Sequence, residues 1–554
     1  MAAVIQPVAT VYPYASSNIH HQIGEVNAML TRKQCNDLLL LIVILLGFGL
    51  RVYRLDAHSL WWDEMATAVQ ANMTLAQLIE SLLVDRVHTP LYFLVMHIWG
   101  SIGSSTFILR YLSVITGVLS VPLIYVTGKR LNGYHVGLTA AFLLAIAPFH
   151  IWFSQEARMY SLLALNALAA NYFLLRLLHR EKWHDWIAYA LTLTFTLLTH
   201  FLGVLILIAH YTFLSLHYRH NPGRFKRWFM FASIAGALYL AWFLTIFLIS
   251  TFEQAAIGWI APANWYEPLL TLFSFSIGPG IDPTSFWPYV AFSVYLIGLL
   301  AVYWLVGRNK QLPTNKLLSL RLLWSWLGIP LLLLTIVSID WSIPNQRFIY
   351  MDRYILSLLP AFVLLAGWGL VALSRQRWAP RWVLPLMLVG VLLPTFFTWQ
   401  NIYFDADYAR EDWRAAFLQI KAADLEDDLF LSAPTQIVPY LFYGRDHVDY
   451  MDLPDLFDCE YDDGEPIPDH LREPCIDDVL QAEVAALPAD VTYVWLLHSY
   501  YNNNAHGFPQ ARNAAVEQGL PNTYEQWFEQ NYTAVNQWHF TGIRLTLYDL
   551  TDDR

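Results

Sequence analysis

The chain has 554 residues, 56% hydrophobic and 14% charged, with three cysteines and a formal net charge of −11. It is too apolar for a soluble multidomain protein, and apolar runs of about 20 residues recur along it, which marks a polytopic α-helical membrane protein. The charge is divided: residues 401–554 hold 29 Asp and Glu against 8 Lys and Arg, and the first 400 hold 15 against 25. A basic membrane part is therefore followed by an acidic, water-soluble part, whose sign argues against nucleic acid as a partner.

Residues 1–36 are mixed and aperiodic without a cleavable signal pattern, and read as a cytoplasmic tail ahead of a retained first helix. Apolar runs then fall near 37–53, 89–103, 107–127, 134–149, 158–178, 186–199, 201–216, 229–250, 268–281, 286–306, 318–338, 354–373 and 382–398. The basic clusters at Arg32/Lys33, Lys129/Arg130, Arg176 to Lys182, Arg219 to Arg227, Arg308 to Arg321 and Arg375 to Arg381 should share the cytoplasmic side. They do so only if runs 89–103 and 268–281 do not cross. Each is roughly 22 Å long as a helix, short of the roughly 30 Å hydrocarbon core, and is read as interfacial or re-entrant. About eleven spans remain in a membrane domain of residues 37–399, with a first outer loop at 54–106. The C-terminal part, 400–554, lies outside the membrane.

That first outer loop carries HSLWWDE at 58–64. Two adjacent carboxylates beside a bilayer are costly unless used or solvated, and Asp63 and Glu64 are the leading candidates for a reactive centre; Trp61 and Trp62 alone would pass for interfacial anchors. The same topology gathers Asp85, Arg86, His88, Arg110, Glu156, Arg158, His200, Arg347, Asp352 and Arg353 on the outer side, at helix ends, with Tyr160 beside Glu156 and Arg158. A transporter would place ionisable groups near mid-membrane in broken helices.

Residues 400–554 alternate short apolar runs (429–433, 437–443, 493–497) with helix-like stretches (412–423, 476–486), and 540–548 reads as a closing strand. A small extracytoplasmic α/β domain is expected. Its two cysteines, Cys459 and Cys475, could pair if that side is oxidising, and Cys35 stands alone.

In order and spacing, LWWDEMATA (60–68), HTPLYFLVMHIWG (88–100), LRYLSVITGVLSVPLIYVTGKRL (109–131), FSQEARMYSLL (153–163), LLTHFLGVL (197–205), DRYILSLLPAFVLLAG (352–367) and DYAREDWRAA (407–416) resemble one group of proteins. These are the GT-C glycosyltransferases, specifically the family 39-like group related to protein O-mannosyltransferases and the lipid A aminoarabinose transferase. The resemblance implies transfer of a sugar from a polyprenyl phosphate to a lipid, glycan or protein acceptor at the plasma membrane. An acceptor hydroxyl needs a base within hydrogen-bond reach. Asp63 is expected to be that base, with Glu64 positioning the acceptor or the loop, and one displacement on one base implies inversion. Arg353, Arg347 and His88 are expected at the donor phosphate; Thr89 stands where relatives carry proline. Glu156, Arg158, Tyr160 and His200 are expected on sugar or acceptor. No ligand spacing demands a metal, so no essential cofactor is expected, although carboxylates and histidines that converge are compatible with a divalent ion. Membrane lipids are the remaining expected partners. The competing readings are a lipid-linked sugar transporter or flippase and a noncatalytic envelope-assembly protein.

Overall fold

The computed structural model describes residues 14–85, 88–218, 221–249, 260, 262–282, 284–307, 313–342, 348–405, 408–425, 427–432, 436–453, 461–462, 465–466, 469–499 and 523–553. Its membrane part is a bundle of α1 (Tyr14–Val52), α5 (Thr106–Asn132), α6 (Tyr134–Ile146), α7 (Pro148–Ser154), α8 (Tyr160–His179), α9 (Trp183–Thr199), α10 (Val204–Tyr218), α11 (Pro222–Ile249), α13 (Trp287–Ala301), α14 (Thr314–Ser338), α15 (Leu359–Ser374) and α16 (Val383–Phe404). Short helices α2 (Trp62–Ala71), α3 (Leu75–Asp85), α4 (Pro90–Gly100) and α12 (Glu267–Ile277) lie between them.

Among the described residues nine helices are long and apolar enough to cross a membrane. The bent pair α6 and α7, broken by 59°, makes a tenth. The eleventh expected span, α9, has 17 residues, about 26 Å of helix. Runs 89–103 and 268–281 form helices of 11 residues each, far too short to cross. The first helix differs from expectation: it begins at Tyr14 and continues unbroken through residue 36, where the sequence suggests an aperiodic tail.

Helix α15 is the axis of the bundle, with 94% of its span buried; apolar on all sides, it suits a position with protein all round. It meets α13 where a Cβ on Gly369 would run into the Gly298 carbonyl, the close approach that small residues permit in membranes. The break between α6 and α7 has a local cause. Pro148 cannot donate a backbone N–H, and the carbonyls of Leu144 and Ala145 are taken instead by Arg51, at 3.1 and 3.0 Å. Arg51 is fully buried with its remaining donors on Gly47 O, Ser154 Oγ and His150 Nδ1, so this cation inside a span is satisfied by dipoles alone.

After α16 the chain enters the C-terminal domain through α17 (Trp413–Ala423), capped by Asp412, whose carboxylate accepts from Ala415 N at 3.2 Å. Five strands, β1 (Asp428–Ser432), β2 (Asp449–Asp452), β5 (Tyr493–Ser499), β6 (Tyr532–Phe540) and β7 (Ile543–Asp553), form one sheet in the order β2-β1-β5-β7-β6; β3 (Tyr461–Asp462) and β4 (Glu465–Pro466) form a separate pair. β1 runs parallel to β2 and β5, while β7 is antiparallel to β5 and β6. β5 is buried on both faces, which accounts for its unbroken run Tyr493 to Leu497. Residues 540–548 are not one strand: they straddle the β6–β7 turn at Thr541 and Gly542, where Gly542 has a φ of 66°. Residues 437–443 are helical rather than extended. Cys475 is disulfide-bonded and Cys35 is free; Cys459, the expected partner of Cys475, lies outside the described residues.

Candidate active site at the foot of the first loop

The site is built around α2. Trp61 caps this helix, and the Glu64 carboxylate returns to the Trp61 N–H at 3.3 Å, the reciprocal bond of a capping box. Glu64 is fully buried. Its Oε1 accepts from Arg110 Nε at 2.8 Å and Ala157 N at 2.7 Å; its Oε2 accepts from Arg110 Nη2 at 2.7 Å and Arg410 Nη1 at 3.0 Å. Burial alone would raise its pKa, but Arg110, Arg410 and the Ala157 N–H together hold the carboxyl below its usual range. With five hydrogen bonds accepted, Glu64 is a structural anchor. The remaining donors of Arg110 bind the carbonyls of Leu55, His58 and Ser59, so one guanidinium fixes both the approach loop and the helix start.

Asp63 precedes this anchor and points elsewhere. Its side chain is 14% exposed, and Arg158 Nε lies 3.8 Å from its Oδ2, an ion pair beyond hydrogen-bond reach. Arg158 is held from three directions, donating to Asp63 O at 3.2 Å, Thr67 Oγ1 at 3.0 Å and His88 Nε2 at 2.9 Å. His88 thus turns a nitrogen lone pair toward Arg158 and acts on that residue. Arg158 in turn faces Asp63.

Glu156 is buried in the turn between α7 and α8; its Oε1 accepts from Arg410 Nη2 at 2.6 Å, while its Oε2 is buried without a hydrogen-bond partner. Burial, reinforced by the charges of Glu64 and Asp63, raises its carboxyl to about 7 against the pull of Arg410 and Arg353. Near neutrality this group can hold or release a proton.

On the other side of Trp61 stands Arg353, in the 3-10 turn Asp352–Leu358. Its guanidinium carbon lies 5.4 Å from the Trp61 ring centroid and 5.4 Å from that of Tyr354. Tyr354 lies 5.0 Å from His200 and 6.3 Å from Tyr160, ring centre to ring centre. The Nδ1 of His200 accepts from Leu202 N at 3.1 Å. Burial, and then His88 and the cations Arg158 and Arg353, hold this imidazole well below its usual range, leaving its proton on Nε2. Asp63, Glu156, Arg158, Tyr160, His200 and Arg353 are therefore gathered into one cluster, with the Trp61 ring against Arg353. Arg347 lies outside the described residues. Among the described residues no three His, Cys, Asp or Glu side chains are grouped as a metal-binding set.

Arg410 is the residue that sequence reasoning missed. It comes from the segment leading into the C-terminal domain, bridges Glu64 and Glu156, and lies 4.6 Å from the Trp152 ring and 6.0 Å from that of Trp61. The available signal was its place in DYAREDWRAA (407–416), one of the segments that carry the family resemblance. Ser59 Oγ to Glu411 O at 2.5 Å and Leu60 N to Tyr443 Oη at 3.0 Å add two further ties between the first loop and that domain.

Residues 87–249 match the family model described as dolichyl-phosphate-mannose-protein mannosyltransferase. No curated protein matches the chain. Among solved structures, ArnT from Cupriavidus metallidurans bound to undecaprenyl phosphate is similar at a TM-score of 0.58 and 13% identity, over 92% of this chain and 97% of that one. Its apo state gives 0.54 and 13%, over 93% and 98%. The oligosaccharyltransferase of Archaeoglobus fulgidus gives 0.49 and 12%, over 83% and 69%. Residues 87–249 thus resemble a mannosyltransferase family, and nearly the whole chain shares the fold of ArnT.

Proposed function

We propose that the protein transfers a sugar from a polyprenyl-phosphate donor to an acceptor at the outer face of the plasma membrane, with inversion and with Asp63 as the general base. A fold alone does not fix an activity. The observation that carries the reading is the charge pattern around Trp61: four guanidiniums, from Arg110, Arg158, Arg353 and Arg410, stand against three carboxylates, of which Glu156 is pushed toward its neutral form. Such a water-poor, net positive site suits a lipid phosphate leaving group. Arg353, with aromatic rings beneath its guanidinium, is the candidate for that phosphate. Asp63, partly exposed and oriented by Arg158, is the carboxylate with access to an acceptor. In this reading Glu64 positions the loop, His88 acts through Arg158, and Tyr160 and His200 form the wall on the sugar side. The matched family's name and the undecaprenyl phosphate bound to ArnT agree with such a donor. The N-terminus would then be cytoplasmic and the C-terminal domain extracytoplasmic.

Membrane vesicles carrying wild type or Asp63→Asn at equal expression, given polyprenyl-phosphate sugars and an acceptor extract, test the assignment by release of polyprenyl phosphate. Loss of release by about 10²-fold or more in the variant is expected for removal of a general base; equal release removes Asp63 from that role. The orphaned Oε2 and raised carboxyl of Glu156 favour a second reading, in which Glu156 takes the proton. Glu156→Gln would then lose release while Asp63→Asn keeps it.

A further inference from the structure

Away from the reaction site, a cleft of about 480 Å³ lies between α1 and α16 at the ends where α1 meets the first loop and α16 meets the C-terminal domain. This volume is in the range of ligand pockets. Its walls are almost wholly apolar: Leu46 and Leu50 from α1 face Phe396, Trp399 and Phe404 from α16. From Leu46 to Tyr53 it runs about 10 Å down the helix, from the interface into one leaflet.

Three features indicate that this hollow is kept open for an amphiphile with an anionic head. Gly49 lies in the cleft wall with ordinary helical backbone, and a Cβ there would meet no atom within 4 Å. Neither packing nor backbone therefore calls for glycine, which weakens a helix, and a side chain at this position would project into the cleft. Gln400 lines the cleft and is exposed, presenting an amide in an otherwise apolar wall near the interface. Above the mouth stands Arg54, an exposed arginine at a φ of 53°, which non-glycine residues seldom adopt. Its guanidinium carbon lies 5.4 Å from the Phe404 ring centroid, and no described carboxylate forms an ion pair with it.

The cavity between the mouth and Arg410, bordered by Arg54, His58, Arg110 and Arg410, holds about 30 Å³, room for a water or two and not for a head group, which sets the cleft apart from the reaction site. We propose that the α1–α16 cleft binds an anionic glycerophospholipid, one acyl chain lying along Gly49 and the phosphate held at the mouth by Arg54. The site is independent of the transfer reaction.

The test uses the full-length protein in vesicles of zwitterionic lipid doped with brominated phospholipid, whose bromines quench tryptophan on contact. The difference in quenching between wild type and Trp399→Phe isolates the cleft. Brominated phosphatidylglycerol should quench this Trp399 signal at roughly fivefold lower mole fraction than brominated phosphatidylcholine, the preference expected of one interfacial guanidinium. Arg54→Gln should bring the two lipids level, and Gly49→Leu should abolish the Trp399 signal for both while the protein stays monodisperse. Equal quenching by the two lipids in wild type overturns the proposal. So does relief of quenching by a low mole fraction of unbrominated polyprenyl phosphate, which would make the cleft a site for the donor lipid.

Discussion

At the scale of single residues, the neighbours Asp63 and Glu64 have opposite fates because they occupy successive positions in the first turn of α2. Glu64 folds back under the helix onto Arg110 and Arg410, and Asp63 faces Arg158 and partial exposure. Glu64→Gln should therefore act on stability before chemistry. Removing one partner of a buried pair leaves uncompensated charge and costs roughly 3–5 kcal/mol, visible as a lowered melting temperature in detergent, whereas Asp63→Asn should leave the melt nearly unchanged. Glu156 supplies a pH signature. With its carboxyl raised to about 7 from a usual 4.5, the folded state keeps a proton that the unfolded chain gives up, so this group's contribution to stability falls as pH rises from about 4.5 to about 7. If Glu156 must be ionised for turnover, kcat/KM climbs through the same upper value, and Glu156→Gln keeps only a low residual rate without that limb.

At the scale of elements, membrane helices associate without a hydrophobic drive between them, so close contact and dipoles set the geometry. The α13–α15 crossing depends on Gly298 and Gly369 meeting backbone to backbone. Gly369→Ala should force the helices apart, with a loss of about 1–3 kcal/mol as for other overpacked interiors, measured by thermal unfolding. Helix boundaries within the membrane were largely legible from apolar runs and basic clusters, since both are local in sequence. Less legible were elements whose limits depend on partners. The helical continuation of α1 back to Tyr14, the β6–β7 turn inside 540–548 and the helical turns at 437–444 all run against the simple periodicity of their segments.

At the scale of the whole molecule, the C-terminal domain is part of the site. Through Arg410, Glu411, Arg414 and Tyr443 it grips the first loop, with Arg414 Nη2 bonded to Ala57 O at 3.2 Å. A chain ending at Asp405 should insert in the membrane yet lose transfer activity, with residues 54–61 becoming sensitive to protease; retained activity would show the domain to be dispensable for the site.

The sequence by itself determined the membrane class, most of the spans and the acidic C-terminal domain, and it pointed to the loops that meet, because hydropathy, charge asymmetry and helix length act within a window of about 20 residues. It also singled out Asp63 and Glu64 as residues whose charge beside a bilayer calls for a use. Only the tertiary structure decided which carboxylate is an anchor and which is left accessible, and only it brought Arg410 to Glu64 and Glu156 across 346 and 254 residues of chain. Those assignments depend on which charges are buried together, and burial is a property of the packed bundle and domain rather than of any one stretch of residues.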